Sequence, residues 1–425
     1  MTLPARANLA NDSQDLPPIT NPYLLILGIP CYRDQEGRRY LDLLWYKDLI
    51  EHLRYLKNFT LACPCEQIDL PKDTICVDND PAFSNIQLVD LPPTKSLLEA
   101  IATLPVTVAK LWQAIGRADI VHTGVADWPI PKGWLVTPIV KLRQKFYLIN
   151  IESAFWRLPP GRRSSIKSRI QAQVFEKVNS WCVNQADMAL FTQEEYRQSL
   201  LKKQSERAHI IHASWIDEDK IISEADAKAT WHKKLLASSA PIKILFAGRL
   251  LEAKGVLILL EAMKVLNKDS VSVELDILGE GELLNECETA SHQVQGTVKI
   301  RLLGTVPYGW EFFRLLQNYH AIVVPSISDE QPRIVYDGYS QAIPAIASNT
   351  AGLRDCIRNG ETGILVNPGD PIALADKIKW SLSNLNQLEN MGMKSLKVAS
   401  SMTHQTMHRK RWQLLLNVLD EFAKN

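Results

Sequence analysis

Ile242-Lys-Ile-Leu-Phe-Ala-Gly-Arg-Leu-Leu-Glu-Ala-Lys-Gly255 runs from an apolar segment, through a Gly-Arg pair, into a periodic one. The near-continuous apolar character of 242–247 reads as a strand covered on both faces. Beyond it Val256, Leu259, Leu260 and Met263 recur at i, i+3, i+4 and i+7, which predicts an amphipathic helix over 255–267. Further strands are expected at 271–278, 298–303, 321–325, 344–348 and 363–366, each followed by a helical or loop segment. Upstream the same alternation is fainter, with strands at 23–29, 59–62, 120–122, 146–151 and 188–192 and a helix through Leu41, Leu44, Trp45, Leu49 and Leu53. Alternating strands and helices predict parallel sheets, so the fold class is α/β.

Strand ends are where such sheets bind ligands. After 242–247, Gly248 lets a ligand approach the backbone, Arg249 offers a planar fork of donors, and Lys254 sets a mobile charge just before a helix N-terminus. That combination suits a diphosphate. Roughly 80 residues later stands Ser326-Ile-Ser-Asp-Glu-Gln-Pro-Arg-Ile-Val-Tyr-Asp337. Pro332 suits the first turn of a helix, leaving the N–H groups of Arg333, Ile334 and Val335 to hold an anion. Asp337, one to two turns in, can accept two hydroxyl hydrogen bonds from a ribose. Asp329 is placed either to face a sugar or to cap the helix. Cations at one strand end and carboxylates at another suggest a nucleotide-sugar site.

Composition narrows the alternatives. The 425 residues are 46% hydrophobic, ample for two cores, and the formal net charge of +1 gives no global field for nucleic acid. Residues 131–180 are locally basic, with ten Lys and Arg against Glu152 and Glu176, interleaved with Trp134, Phe146, Phe155 and Trp156. Contact with anionic lipid headgroups, recognition of a phosphorylated acceptor, and a solvated face over buried aromatics are the three readings of that stretch. Seven scattered cysteines read as reduced, mostly buried thiols of a cytoplasmic protein. The start of the chain has no apolar h-region, and 23–29 is too short to span a bilayer. Asp217-Glu-Asp219 has the letters of a metal motif but precedes the donor half, so no metal ligands are assigned.

With these residues in hand, the C-terminal half resembles the GT-B glycosyltransferases of family 4, which transfer sugar from a nucleoside diphosphate with retention. The likeness rests on 244–255, Leu278-Gly-Glu-Gly281, Leu303-Gly-Thr-Val306 and 329–348. It continues through Ala351-Gly-Leu-Arg-Asp355, Asn359-Gly-Glu-Thr-Gly-Ile-Leu-Val366 and Pro368-Gly-Asp-Pro371, covering about 242–380. It implies two Rossmann-like doubly wound lobes with a cleft between them. The expected division is a tail at 1–20, an acceptor-binding domain at 21–235, a donor-binding domain at 236–403, and a last helix at 404–425 packing back on the first lobe.

The resemblance implies that Arg249 and Lys254 neutralise the donor diphosphate, with Gly248 and Gly279 in the donor site. Asp337 and Asp329 stand where the family has two glutamates eight apart, for ribose and donor sugar; Glu330, at a spacing of seven, is the alternative to Asp329. Ala342 and Ala351 replace usual glycines. In the first lobe, His122 is the catalytic candidate and Asp127 the second, although several relatives place their histidine where Gly124 stands. Gly28 and Arg38, in the loop after the first strand, are expected near the phosphates. The implied function is transfer from a nucleoside-diphosphate sugar to a glycan or lipid-linked acceptor in polysaccharide or glycolipid synthesis. No further cofactor is expected, and the protein is expected in the cytoplasm or at the inner face of a membrane. A non-catalytic nucleotide-sugar binder and an epimerase on the same scaffold are the alternatives.

Overall fold

The computed structural model describes residues 16–422 except 68–69, 72, 159–164, 204, 238–239, 295 and 328–331. The N-terminal domain contains β1 (Tyr23–Ile26), β2 (Cys31–Arg33), β3 (Arg39–Asp42), β4 (Phe59–Gln67), β5 (Thr74–Cys76), β6 (Gln87–Leu91), β7 (Ile120–Gly124), β8 (Phe146–Ile151), β9 (Met188–Phe191) and β10 (Ala208–Ile210). Its helices are α1 (Leu43–Tyr55), α2 (Leu97–Arg117), α3 (Lys132–Leu142), α4 (Ile166–Gln185) and α5 (Glu194–Leu200). The parallel core runs β6-β4-β1-β7-β8-β9-β10, and a hairpin of β2 and β3, extended by β5, is added along the far end of β4.

The C-terminal domain opens with α6 (Glu224–Leu236). It continues with β11 (Ile242–Ala247), α7 (Val256–Lys268), β12 (Val273–Leu278), α8 (Leu284–Gln293), β13 (Val298–Gly304), α9 (Trp310–Leu316) and β14 (Ala321–Val324). Then come α10 (Arg333–Ser340), β15 (Ala345–Ser348), α11 (Ala351–Cys356), β16 (Gly363–Val366), α12 (Pro371–Ser383), α13 (Leu385–Ser400) and α14 (His404–Phe422). Its six strands are all parallel in the order β13-β12-β11-β14-β15-β16. Both sheets therefore reverse direction beside their first strand, between β1 and β7 and between β11 and β14. These are the topological switch points of doubly wound sheets. The architecture is the expected GT-B pair of Rossmann-like domains.

The continuous apolar runs have the predicted cause. Ile242, Ile244 and Phe246 enter one hydrophobic core, Leu245 the core on the opposite face, and α7 buries Val256, Leu259, Leu260 and Met263. Each such side chain contributes about 1.5–3 kcal/mol on burial. In the first domain Leu24 and Ile26 face one core, Tyr23 and Leu25 the other.

Two boundaries differ from expectation. Residues 224–235, expected in the acceptor-binding domain, lie in α6: Ala227 and Trp231 enter the C-terminal core, and Trp231 Nε1 donates to the Ala342 carbonyl at 2.8 Å. The division thus falls before Glu224, and a single buried tryptophan on a polar helix hid it. Ile19, expected in a loose tail, is buried and exchanges backbone hydrogen bonds with Tyr55 and Lys57. The hairpin strands β2 and β3 and the edge strands β5, β6 and β10 are short or polar and left no legible periodicity. Met407, Leu415 and Val418 of α14 enter the N-terminal core, so this helix packs back on the first domain.

Candidate functional site

The loop after β11 is built by its glycines. Gly248 follows the strand, exposed, with open space where a side chain would stand. Its carbonyl touches Gly279, at which a Cβ would come within 1.9 Å of it. Backbone bonds from Gly248 N–H to Leu278 O (2.9 Å), Leu250 N–H to Glu280 O (2.9 Å) and Gly279 N–H to Gly304 O (2.7 Å) join three strand ends. Glu252–Lys254 forms a 3-10 turn, and Gly255 adopts φ 71° before α7 begins at Val256. Any Cβ at Gly255 would lie 1.9 Å from the Pro325 carbonyl. The helix starts one residue later than expected because this left-handed residue intervenes.

That close approach is what joins the two motifs. Pro325 leaves β14, and Ile327 N–H donates to Ala253 O at 3.0 Å. The cationic loop therefore rests on the chain entering α10, at the switch point of the C-terminal sheet. Arg249 is exposed and Lys254 half-buried, with the start of α7 beside them. Asp329 and Glu330, in the intervening stretch, lie outside the described residues.

Pro332 precedes α10, and of the three expected anion donors the Val335 N–H is taken by the Pro332 carbonyl at 3.2 Å. Asp337 is buried and accepts the Tyr308 hydroxyl at 2.9 Å. Burial raises its carboxyl to about 6, with the Arg333 charge and the Tyr308 hydrogen bond opposing the rise. The Arg333 guanidinium lies 5.1 Å from the Tyr308 ring centre and 5.4 Å from that of Trp215. Trp215 belongs to the interdomain connection, whose carbonyl accepts Lys47 Nζ from α1 at 2.6 Å. Tyr308, Trp215 and Lys47 were not anticipated. Tyr308 could have been, since it follows the end of β13 as the other motifs follow theirs; Lys47 carries no local signal. Lys47 also pairs with Asp217 at 2.8 Å and Lys220 with Asp219 at 2.5 Å, which occupies the carboxylates of the Asp217-Glu-Asp219 run.

The N-terminal switch point sorts the other candidates. Gly28 lies against Asp127, whose carboxylate oxygen occupies the place of a Gly28 side chain (1.9 Å from an ideal Cβ). Asp127 also accepts the Lys132 N–H at 3.0 Å at the start of α3, and burial pushes its carboxyl up. His122 is elsewhere: it points into the core, its Nδ1 2.8 Å from the Tyr23 hydroxyl, and burial holds its pKa well below the ordinary value. The catalytic role expected of His122 does not fit this setting. The residue has the parity of Ile120, which places its ring beneath α1 rather than at the strand's end. Arg38 sits at the β2–β3 hairpin tip, paired with Asp34 (2.7 Å) and Glu36 (3.0 Å). The guanidinium expected near the phosphates is thus already held by two carboxylates of its own hairpin.

The two strand-end edges face one another. Glu194, just beyond β9, donates its N–H to Asp355 of α11, just beyond β15, at 2.9 Å. The basic stretch 131–180 is neutralised in part by acids outside it. Lys145 lies 3.8 Å from Asp119, Lys141 3.9 Å from Asp187, and Arg157, already paired with Glu176 of the same stretch, 3.3 Å from Glu195. Window counting overstated that charge because the partners come from neighbouring elements. Among the described residues no helix is long and apolar enough to cross a membrane, and all seven cysteines are free.

Residues 227–398 match the family described as Glycosyl transferases group 1. The glycogen synthase of Mycobacterium tuberculosis is similar at 24% identity over 270 residues, 63% of this chain and 61% of that protein. D-inositol 3-phosphate glycosyltransferase of Xylanimonas cellulosilytica is 27% identical over 294 residues, 64% of this chain and 66% of its own length. The chain thus spans less than two thirds of these relatives. Among solved structures, Anabaena HepE in complex with UDP superimposes with a TM-score of 0.65 at 15% identity, covering 93% of this chain and all of that one. Sucrose-phosphate synthase from Thermosynechococcus elongatus gives 0.66 at 17%, covering 94% and 99%. At these identities the likeness is one of fold.

Proposed function

We propose that this chain, whose C-terminal domain matches the group 1 glycosyltransferases, is a retaining family 4 enzyme that moves a sugar from a nucleoside diphosphate to an acceptor hydroxyl. The observation that carries the reading is the junction of the Gly248–Gly255 loop with the entry to α10 at one switch point. Arg249 and Lys254 hold the diphosphate, and their hold tightens as charge develops on the leaving group. The N–H groups of Arg333 and Ile334 add donors at a helix start. Asp337 accepts the ribose hydroxyls, and Asp329 or Glu330 contacts the donor sugar. Asp127, beside Gly28 on the opposing edge, positions the acceptor. Metal is not required in this scheme, because the two cations and two helix N-termini supply the positive field.

The complex of HepE with UDP-glucose supports a uridine donor as the first to test. A thermal-shift screen of UDP-, GDP-, ADP- and CDP-sugars is expected to single out one base by a rise in Tm. Nucleoside diphosphate should then be released only when acceptor extract is added. Conversion of the sugar nucleotide without acceptor would point to epimerisation, and binding without release or transfer to a non-catalytic role.

A lipid-linked acceptor at an anionic membrane is the reading we favour for the second substrate. Ile166, Ile170 and Val174 form an exposed i, i+4, i+8 stripe on α4, flanked by exposed Lys167 and Lys177, and Leu97, Leu98 and Ile101 are exposed on α2. Both helices begin at the strand-end edge, where an acceptor enters. The protein is expected to co-sediment with vesicles containing phosphatidylglycerol, less so at high salt, and not with neutral ones. Equal recovery from both vesicle types would remove the membrane from this account.

A further inference from the structure

Where α14 returns to the N-terminal domain, three donor atoms converge that the transfer scheme does not use. The spacing His404-x3-His408 sets both imidazoles on one face of the helix, and α1 presents Asp48 to them. Nε2 of His408 lies 2.9 Å, and Nε2 of His404 3.3 Å, from the same Asp48 oxygen. The three donor atoms are all within 4.8 Å of one another. Bonds of about 2.0–2.2 Å from imidazole and carboxylate to a tetrahedral ion put neighbouring donors roughly 3.3 Å apart. The two imidazole–carboxylate spacings, 2.9 and 3.3 Å, are already close to that value.

Its surroundings hold the rings in place. His404, His408 and Asp48 are all buried. The His404 ring stacks on Trp215 (5.6 Å, 13°), and the second nitrogen of His408 lies 3.3 Å from the Tyr55 hydroxyl, an outer partner of the kind that orients a ligating histidine. Charge is also short on the positive side. Arg411 stands 4.0 Å from Asp48 but is shared with Glu152 at 3.7 Å, and Arg54 is engaged by Glu51. With the neighbouring Lys47–Asp217 pair included, four carboxylates face three side-chain cations.

We propose that Asp48, His404 and His408 bind a divalent transition-metal ion of the zinc class, which staples α14 to α1. His52 lies outside the ligand set: its Nδ1, 3.0 Å from the Asp48 backbone carbonyl and 3.3 Å from the other Asp48 carboxylate oxygen, braces the aspartate from α1. The ion is structural: it ties the start of α14 to α1 of the N-terminal domain and fixes Trp215, the ring on which Arg333 also rests.

The test uses the untagged full-length chain, stripped with a chelator and reloaded with Zn²⁺ or Co²⁺. The wild type should retain one ion per chain through gel filtration, gain several degrees in Tm, and show visible Co²⁺ absorption typical of four-coordination. His408→Gln and His404→Gln should lose the ion and the metal-dependent gain in Tm. If either variant fails to fold, the wild-type stoichiometry and Tm decide alone. A wild type with no retained ion and the same Tm with and without Zn²⁺ overturns the proposal, as does undiminished retention in folded variants.

Discussion

Replacing Arg249 and Lys254 together with alanine is expected to lower kcat/KM for the donor by about 10³-fold or more, while far-UV spectra remain those of the wild type. Removing one preorganised donor from a developing oxyanion typically lowers turnover by about 10²–10³-fold, and a leaving diphosphate carries more charge than a single oxyanion. The fold should tolerate the change. Arg249 is exposed, and the loop's conformation is held by the backbone contacts of Gly248, Gly255 and Gly279. Steady-state kinetics with the true donor check this. Activity within about tenfold of wild type would remove the two cations from the transition state.

Asp337→Asn should show the opposite effect on stability from that on function. The wild-type carboxyl is raised by burial from 3.8 to about 6, so the folded state binds its proton more tightly than the unfolded chain does. The stabilisation that comes with protonation is complete below pH 3.8 and is lost as pH rises through about 6. Above that, the ionised group costs on the order of 3 kcal/mol. A neutral amide avoids this and can still accept the Tyr308 hydroxyl. The variant should therefore melt above wild type at pH 7.5, with the gap closing towards pH 4. Donor affinity at pH 7.5 should fall about 10–100-fold, the value of hydrogen bonds to a charged acceptor. In the wild type, affinity should weaken as pH drops through about 6. Melting curves and calorimetry across pH check both signs; a lower Tm at pH 7.5 with unchanged affinity would make Asp337 a structural residue only.

The C-terminal sheet was legible because its strands are apolar on both faces and its loops carry glycines and charges at strand ends. Gly248, Arg249, Lys254, Gly279 and Asp337 all lie at that edge. What local pattern could not supply was the register between distant elements. The contact of Gly255 with Pro325 brings two motifs together, yet each glycine reads alike in sequence. Trp215 and Lys47 reach the neighbourhood of Asp337 only through the path of the interdomain connection. His122 was misplaced by one geometric fact: neighbouring residues of a strand point to opposite faces, and parity put this one in the core. The α14 histidines failed to register because their carboxylate partner lies more than 350 residues away.

The most direct test of the central claim is calorimetric titration of a nucleoside diphosphate and the matching monophosphate, starting with UDP and UMP, into wild type and the Arg249→Ala/Lys254→Ala variant. The account predicts that the diphosphate binds wild type at least about tenfold more tightly than the monophosphate, the value of roughly one charge-assisted contact, and that this preference disappears in the variant. Equal affinity for both nucleotides in the wild type, or a preference that survives in the variant, would contradict it.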